Sequence, residues 1–253
     1  MGFEMFDLNG KVAIVTGAST GLGQGISIGL SEAGADIVGV DYVTMNETEK
    51  LIKENGKKFI PIVKDLSSIS VIPDIISKVL ELKGHIDILV NDAGIIRRAD
   101  SIEFSEKDWD DVMNLNLKTV FFFSQTIAKH FISNKIQGKI INIASMLSFQ
   151  GGIRVPSYTA SKSGVMGLTR LLANEWAKYN INVNAIAPGY MATNNTAALR
   201  ADSKRSSKIL ERIPAGRWGT PQDLKGVAVF LASHSSDYVN GYTIAVDGGW
   251  LAR

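Results

Sequence analysis

The chain has 253 residues, of which 45% are hydrophobic and 21% charged, and this suits one compact α/β domain with a large core rather than two domains. It contains no cysteine, which excludes a disulfide framework, thiol catalysis and thiolate metal sites. The formal net charge is +2, with lysines and arginines spread along the chain, so we predict no nucleic-acid partner and no anionic membrane surface. Without a long apolar run or a secretion signal at the start, we expect a soluble cytoplasmic protein.

Strand and helix patterns alternate along the chain. Short apolar runs rich in β-branched residues predict strands over residues 11–16, 36–41, 59–63, 86–90, 139–144, 181–187 and 241–246. Apolar residues at helical spacing predict helices over residues 21–34, 44–56, 105–134, 157–179 and 221–233, with another between the third and fourth strands. Apolar strands separated by helices are typical of parallel strands covered on both faces. We therefore predict an α/β fold with a doubly wound parallel sheet, in a single domain over residues 1–253.

The stretch over residues 192–217 is the least regular part of the chain. It is polar and rich in asparagine, serine and arginine, with no clear apolar period. Long irregular segments in compact domains are usually functional loops at the surface. We therefore predict a mobile insertion that lies over the site.

A glycine-rich loop, Gly17 to Gly23, joins the first strand to the first helix. The backbone amides of such a loop can approach a diphosphate, and the helix N-terminus adds partial positive charge. Glycine loops also form ordinary turns, but here Asp41 ends the second strand, where a carboxylate can accept hydrogen bonds from an adenosine ribose. The same carboxylate repels a 2′-phosphate, and residues 42–43 hold no compensating cation. The sequence thus predicts NAD rather than NADP, with a turn or capping role for Asp41 as the alternative.

Tyr158 and Lys162 are separated by one turn if their segment is helical, so the phenol and the ammonium lie on one face. A tyrosine hydroxyl with a pKa of ~10 is a poor proton carrier at neutral pH, and a neighbouring cation lowers that pKa by favouring the phenolate. The pair therefore predicts acid–base chemistry. An ordinary pair on a helix surface is the alternative.

Six motifs occur in the order and approximate spacing of the short-chain dehydrogenase/reductase family, which this chain resembles from about residue 8 to residue 253. They are Thr16-Gly17-x-x-x-Gly21-x-Gly23, Asn91-Asp92-Ala93-Gly94, Asn116, Ser145, Tyr158-x-x-x-Lys162 and Pro188-Gly189. The resemblance implies a Rossmann fold, a nicotinamide cofactor and hydride transfer. One position departs from the pattern, because the family usually has asparagine where this chain has Asp92. We expect altered local hydrogen bonding there rather than lost activity.

The resemblance also implies roles for single residues. Tyr158 acts as acid and base, Ser145 binds the substrate oxygen, and Lys162 holds the nicotinamide ribose and lowers the pKa of Tyr158. Asn116 holds a water that links Lys162 to solvent, with a plain surface asparagine as the alternative. Helix capping is the alternative for Asp65. The implied cofactor contacts are Gly17, Ser19, Gly21, Leu22, Gly23, Asp41, Asp65, Leu66, Asn91, Ala93, Gly94, Tyr158, Lys162, Pro188, Gly189, Met191 and Thr193. No metal site is expected.

Arginines flank Tyr158 in the loops that we expect to form the substrate cavity. Arg98 follows the turn at Asn91, and Arg154 comes shortly before Tyr158. Because a planar guanidinium matches a carboxylate, the sequence predicts a small acidic substrate held by Arg98 or Arg154, with solvated surface arginines as the alternative. The predicted substrate contacts are Arg98, Ser145, Gln150, Arg154 and Tyr190.

Three segments, over residues 93–100, 144–152 and 187–195, are similar to those of one group within the family. That group reversibly interconverts 2-dehydro-3-deoxy-D-gluconate and its 5-keto form with NAD(H) in the breakdown of unsaturated uronates. Near relatives act on gluconate, and 3-oxoacyl carrier reductases share the core motifs but usually favour NADP. The alternative from another class is a non-catalytic nucleotide sensor, which has no chemical need of the complete catalytic set.

The chain ends with apolar residues, Trp250 and Leu251, where most soluble chains end in frayed polar ones. Related family members form tetramers whose last strands pack across a twofold axis. We therefore expect a homotetramer with the terminus near a neighbouring subunit. Packing of Trp250 within its own chain is the alternative.

Overall fold

The computed structural model describes residues 4–253. The predictions for the start of the chain, that the domain begins at residue 1 and that no secretion signal is present, fall in part on residues 1–3, which lie outside the described residues. Within residues 4–253, seven parallel strands form one sheet in the order β3-β2-β1-β4-β5-β6-β7. The strands are β1 Val12–Thr16, β2 Asp36–Asp41, β3 Phe59–Val63, β4 Ile88–Asn91, β5 Gly138–Ile143, β6 Ile181–Pro188 and β7 Thr243–Val246. The predicted doubly wound parallel sheet is confirmed.

Helices connect successive strands and cover both faces of this sheet. They are α1 Gly21–Glu32, α2 Asn46–Glu54, α3 Ile72–Lys83, α4 Glu106–Met113, α5 Thr119–Asn134, α6 Pro156–Trp176, α7 Ala197–Ala201, α8 Ser203–Arg212 and α9 Lys225–Ala232. One core joins the sheet to α1 and α9, and a second joins its other face to α3 and α5. The central strands are buried along their whole length, because both of their faces pack against helices.

The strand order reverses between β1 and β4. The chain moves outward from β1 to β3 and then returns to place β4 on the other side of β1. The connections after β1 and β4 therefore diverge at the carboxyl ends of two adjacent strands, which leaves a crevice between them. Gly17 follows β1 and Asp92 follows β4, so the sheet topology brings two of the predicted motifs to this crevice.

Two predicted elements differ from the structure. The helix predicted over residues 105–134 is interrupted by a π-helical segment, Asn114–Lys118, that separates α4 from α5. The stretch over 192–217 is more regular than predicted, because it contains α7 and α8. Its apolar period was hidden by the polar majority of α8, in which Ile209 is the buried residue. Among the described residues, no helix combines the length and apolarity needed to cross a membrane.

Candidate active site

The glycine-rich loop turns sharply at the carboxyl end of β1. Gly17 has a φ of 71°, and a Cβ placed there would lie 3.0 Å from the backbone of Ala93. At Gly23 an added Cβ would lie 2.2 Å from the carbonyl oxygen of Gly17, so no larger residue fits. The N-cap of α1, Thr20, makes no side-chain hydrogen bond to the helix, which leaves amides at this helix start available to an anion.

Asp41 ends β2 next to this loop. Its side chain is nearly buried and accepts hydrogen bonds from the backbone amides of Ser19 (3.0 Å) and Tyr42 (2.8 Å). These bonds fix the carboxylate at the edge of the crevice, as a ribose-binding acid requires. The same hydrogen bonds also fit the alternative role of Asp41 as a turn residue, so this geometry is compatible with both the ribose-binding role and the turn role.

The crevice contains a cavity of about 370 Å³. Twelve of the predicted cofactor residues line it: Gly17, Ser19, Gly21, Leu22, Asp41, Asp65, Leu66, Ala93, Gly94, Tyr158, Lys162 and Thr193. The glycine loop, an acid at the end of β2 and the free helix start together fit a dinucleotide, with the diphosphate at the start of α1.

Other predicted cofactor residues lie behind or beside the cavity. The Asn91 side chain is buried in the sheet, where its amide group donates hydrogen bonds to Asn142 (2.9 Å) and Ser124 (3.1 Å). Met191 is buried and pairs with Gly219. Gly23 packs under the loop, and Pro188 and Gly189 lie at the carboxyl end of β6.

Two further residues that line the cavity were not predicted from the sequence. Lys64 lines it, directly after β3, and Asn195 lines it from the segment over 192–217. The signal for Lys64 was its position, since residues that follow parallel strands collect at one edge of the sheet. Asn195 gave no such signal, because only the tertiary structure brings its segment to the cavity.

Tyr158 and Lys162 project from the first turns of α6 into this cavity. Ser145, at the end of β5, is hydrogen-bonded to the Tyr158 phenol. The Lys162 Nζ donates to the carbonyl oxygen of Ile143 (2.6 Å) and lies 5.8 Å from the centre of the Tyr158 ring. The structure therefore brings together the three predicted residues Ser145, Tyr158 and Lys162.

The pKa of Tyr158 differs from the sequence prediction. Burial raises this pKa above its usual value, and the hydrogen bond from Ser145 and the charge of Arg98 only partly offset that effect. Lys162, which we expected to lower the pKa, directs its ammonium at a backbone carbonyl instead. Burial in turn lowers the pKa of Lys162 to about 8, although the carboxylate of Asp92 opposes this shift.

Asn116 lies in the π-helical segment and is fully buried. Its side chain bonds the backbone of Ile95 in both directions, accepting from the amide and donating to the carbonyl oxygen, each at 2.9 Å. The surface-asparagine alternative is therefore wrong. π-Helical segments often occur at functional sites, and this one aims Asn116 at the loop after β4.

The two candidate arginines are placed differently. Arg98 donates to the backbone oxygen of Asn195 (3.0 Å), and its charge interacts with Tyr158. Partial burial and the positive charge of Arg205 lower the pKa of Arg98. Arg154 is exposed and forms an ion pair with Asp100 at 3.0 Å. The structure therefore favours Arg98, and it adds Arg205 on α8 as a nearby cation that the sequence reasoning missed.

Tyr190 and Gln150, two of the predicted substrate contacts, are not among the residues that line the cavity. Tyr190 stacks edge-on against Trp250 (ring centres 4.8 Å apart) and Trp218 (5.4 Å). Gln150 accepts a long hydrogen bond of 3.5 Å from Arg212, whose guanidinium lies 4.0 Å above Trp250. Trp250 is thus buried within its own chain, which was the alternative to docking on a neighbouring subunit.

The fold and this site define an α/β oxidoreductase of the Rossmann type, with serine, tyrosine and lysine at the switch point of the sheet. The chain belongs to the short-chain dehydrogenase family, whose model matches residues 11–204. It is 69% identical over 248 residues, 98% of both chains, to the 2-dehydro-3-deoxy-D-gluconate 5-dehydrogenase of Escherichia coli (strain K12). The enzyme of the same name from Bacillus subtilis (strain 168) is 52% identical, covering 99% of this chain and 98% of the relative.

Solved structures agree with this assignment. A crystal structure of a candidate 2-deoxy-D-gluconate 3-dehydrogenase from Agrobacterium tumefaciens, with bound NADP, superposes with a TM-score of 0.94. It is 56% identical and covers 98% of this chain and 99% of its own. The predicted family and its Rossmann fold are therefore confirmed.

Proposed function

We propose that this protein is a nicotinamide-dependent oxidoreductase that interconverts 2-dehydro-3-deoxy-D-gluconate and its 5-keto form in the breakdown of unsaturated uronates. The observation that carries the proposal is the intact group of Ser145, Tyr158 and Lys162: Tyr158 and Lys162 line the cavity, and Ser145 and Arg98 interact with Tyr158. The relatives that share up to 69% of its residues support this substrate.

The reaction needs one proton and one hydride. A bound nicotinamide cofactor supplies or accepts the hydride. In the reducing direction Tyr158 donates its phenolic proton to the substrate carbonyl oxygen, and Ser145 donates a hydrogen bond to the same oxygen as negative charge develops there. In the oxidising direction the Tyr158 phenolate accepts the hydroxyl proton. Lys162 would hold the ribose of the bound cofactor, and Asn116 fixes the loop after β4 through its two hydrogen bonds to Ile95.

An acid substrate also needs a partner for its carboxylate. Arg98 extends from the loop after β4, its charge reaches Tyr158, and in residues 4–253 it has no carboxylate partner. Arg154 is already paired with Asp100. We assign Arg98 as the carboxylate-binding residue, and Gln150 and Tyr190 as contacts for substrate hydroxyls.

The proposed cofactor is NAD. Asp41 places a fixed carboxylate where a 2′-phosphate would have to lie, and two anions in contact repel each other. NADP is the second candidate cofactor. Two observations favour it: Lys64 lines the cavity near Asp41, and the Agrobacterium relative was solved with bound NADP.

The proposal is tested by following NADH absorbance during oxidation of 2-dehydro-3-deoxygluconate, beside gluconate and with NADP in parallel. Fast turnover of the deoxy-keto acid with NAD is the expected result. Turnover of gluconate alone would move the enzyme to the gluconate dehydrogenases, and faster turnover with NADP would overturn the argument from Asp41. Tight NADH binding without turnover of either acid would indicate the nucleotide sensor.

A further inference from the structure

Asp92 stands where the family usually has asparagine, and its surroundings fix its carboxylate in the site. The backbone amides of Asp92 and Ala93 both donate to the Thr16 hydroxyl, each at 3.0 Å, which anchors the turn after β4. Its Oδ2 atom packs against the glycine loop, 2.7 Å from the point where a Cβ on Gly23 would lie. The carboxylate also lines the same cavity as Tyr158 and Lys162.

Charged and polar groups from several elements face this carboxylate. The Gly23 amide at the start of α1 and the Lys162 ammonium on α6 favour its ionised form, whereas Asp41 on β2 opposes it. Burial is the largest influence and raises the pKa of Asp92 to about 7. The side chain therefore carries a negative charge throughout the alkaline range in which a buried phenol loses its proton.

The neighbours of Tyr158 include two cations and this one acid. Arg98 and the Ser145 hydroxyl favour the phenolate, and Lys162 lies one turn along α6. The carboxylate of Asp92 acts in the opposite direction, because a phenolate would place a second negative charge in the same cavity. Asparagine at this position would keep the contact with Gly23 but remove the charge.

We propose that Asp92 is a positioning residue that holds Tyr158 in its protonated form, and so extends to higher pH the range in which Tyr158 can donate its proton in the reduction of a ketone. In that step the carbonyl carbon accepts a hydride from the reduced nicotinamide cofactor, the carbonyl oxygen accepts the phenolic proton, and Tyr158 is left as phenolate. The effect on ketone reduction rests on the proposed oxidoreductase function. The interaction between the charges of Asp92 and Tyr158 does not, because it involves only residues of this protein.

The test is a titration of Tyr158 in the protein alone. Tyrosinate absorbance is recorded from pH 7 to 12 for the wild type and for Asp92→Asn, and each trace is corrected with the matching Tyr158→Phe background. We expect the midpoint for Tyr158 to fall by roughly one pH unit in Asp92→Asn, the size of a single charge acting across several ångströms of protein. Asp110→Asn, on the exposed face of α4, is the matched control and should leave the midpoint unchanged.

A second measurement links the charge to the reaction. The rate of ketone reduction should fall at lower pH in Asp92→Asn than in the wild type, because the phenol that donates the proton is lost earlier. An unchanged Tyr158 midpoint, or one that rises, would overturn the inference. If the wild type reduces no sugar acid, the proposed function fails, while the absorbance titration still decides the role of Asp92.

Discussion

The groups around Tyr158 shift its pKa in opposite directions. Enclosure by protein and the carboxylate of Asp92 favour the phenol, while Ser145 and Arg98 favour the phenolate. The predicted proximity of Lys162 to Tyr158 is confirmed, but the net pKa of Tyr158 is raised because burial is the largest influence, and the Lys162 ammonium bonds the Ile143 carbonyl. At the scale of single residues, the direction in which each side chain points matters more than its spacing along the helix.

Tyr158→Phe removes the proposed acid and base while keeping the ring that packs in the site. We expect turnover of 2-dehydro-3-deoxygluconate to fall by about 10²- to 10⁴-fold, the usual contribution of general acid–base catalysis, with NADH affinity nearly unchanged. Steady-state kinetics and a fluorescence titration with NADH measure the two quantities. Tyr179→Phe, beyond the end of α6, serves as the control. Turnover above a tenth of the wild-type value would contradict the assignment.

Arg98→Met removes the guanidinium and keeps the aliphatic stem. Loss of a charge-assisted hydrogen bond costs about 1.5–3 kcal/mol, so KM for the acid substrate should rise roughly 10- to 100-fold. Arg154→Met is the matched control, and because Arg154 is exposed and paired with Asp100 its KM should change little. If neither variant changes KM, the carboxylate clamp is wrong; a larger effect from Arg154 would reverse the assignment.

At the scale of elements, α7 and α8 follow the cavity-lining residues Thr193 to Asn195 and have few buried residues of their own. Ile209 is the buried residue of α8, and α7 contributes none. The first part of the segment over 192–217 is held by polar contacts: Arg98 bonds Asn195, and Arg200 donates to the Thr193 carbonyl oxygen at 3.1 Å. Its apolar anchor comes later, where Ile209 and Ile213 pack with Met146 and Trp250. Elements with few buried apolar contacts open at low free energy.

We predict that backbone amides over residues 194–208 exchange with deuterium faster than those in the middle of α6. Adding NADH together with the sugar acid should slow exchange in this segment, because the ligands complete its contacts with the cavity. Hydrogen exchange followed by mass spectrometry measures both effects. Slow exchange without any ligand would show that the segment is not mobile.

A buried lysine forms hydrogen bonds near the amino ends of β5 and β6, at the end of the sheet away from the cavity. Lys139 is nearly buried, and its ammonium donates to Asp237 (2.7 Å) and Asn182 (3.0 Å). Burial alone would raise the pKa of Asp237, but hydrogen bonds from Lys139 and His234 outweigh it and hold this pKa below its usual range. The pair therefore stabilises the fold at neutral pH.

Asp237→Asn should lower the free energy of unfolding by about 1 kcal/mol at pH 7, a modest value because the Asp237 side chain is 42% exposed. An acid whose pKa is lowered by folding contributes stability above its unfolded pKa and loses it as the pH falls through its folded pKa. The difference in stability between the two proteins should thus persist down to about pH 4 and disappear only at lower pH, as Asp237 becomes protonated in the folded protein. Urea unfolding at pH 7, at pH 4 and at about pH 2 checks this, and a difference that is undiminished at the lowest pH would point to packing instead of charge.

At the scale of the whole molecule, Trp250 no longer argues for a neighbouring subunit, since Tyr190, Arg212 and Trp218 account for its environment. An apolar groove between α5 and α6 supports the proposed homotetramer instead. It is lined mostly by apolar residues and glycines, with two polar residues among them: Met113, Asn114, Leu117, Lys118, Phe121, Phe122, Gly164, Gly167 and Leu168. Nearby Leu171 on α6 is 47% exposed, and apolar surface of this kind marks contact sites between proteins.

We predict a tetramer in light scattering coupled to size exclusion. Phe122→Glu combined with Leu168→Glu places charges in the groove and should reduce the particle to dimers or monomers. Leu82→Glu, which changes an exposed leucine on α3, is the control and should leave the tetramer intact. A monomeric wild type would remove the tetramer from the proposal.

The sequence by itself determined the parallel sheet, the glycine loop and the positions of Tyr158 and Lys162, because all of these follow from local periodicity and from glycines that a tight turn requires. The tertiary structure decided what depends on contacts between distant segments. It decided that Asn116 bonds Ile95, that Arg98 rather than Arg154 faces Tyr158, and that Trp250 packs on its own chain. Side-chain direction and pKa depend on burial and on neighbouring charges, which no local pattern of residues records.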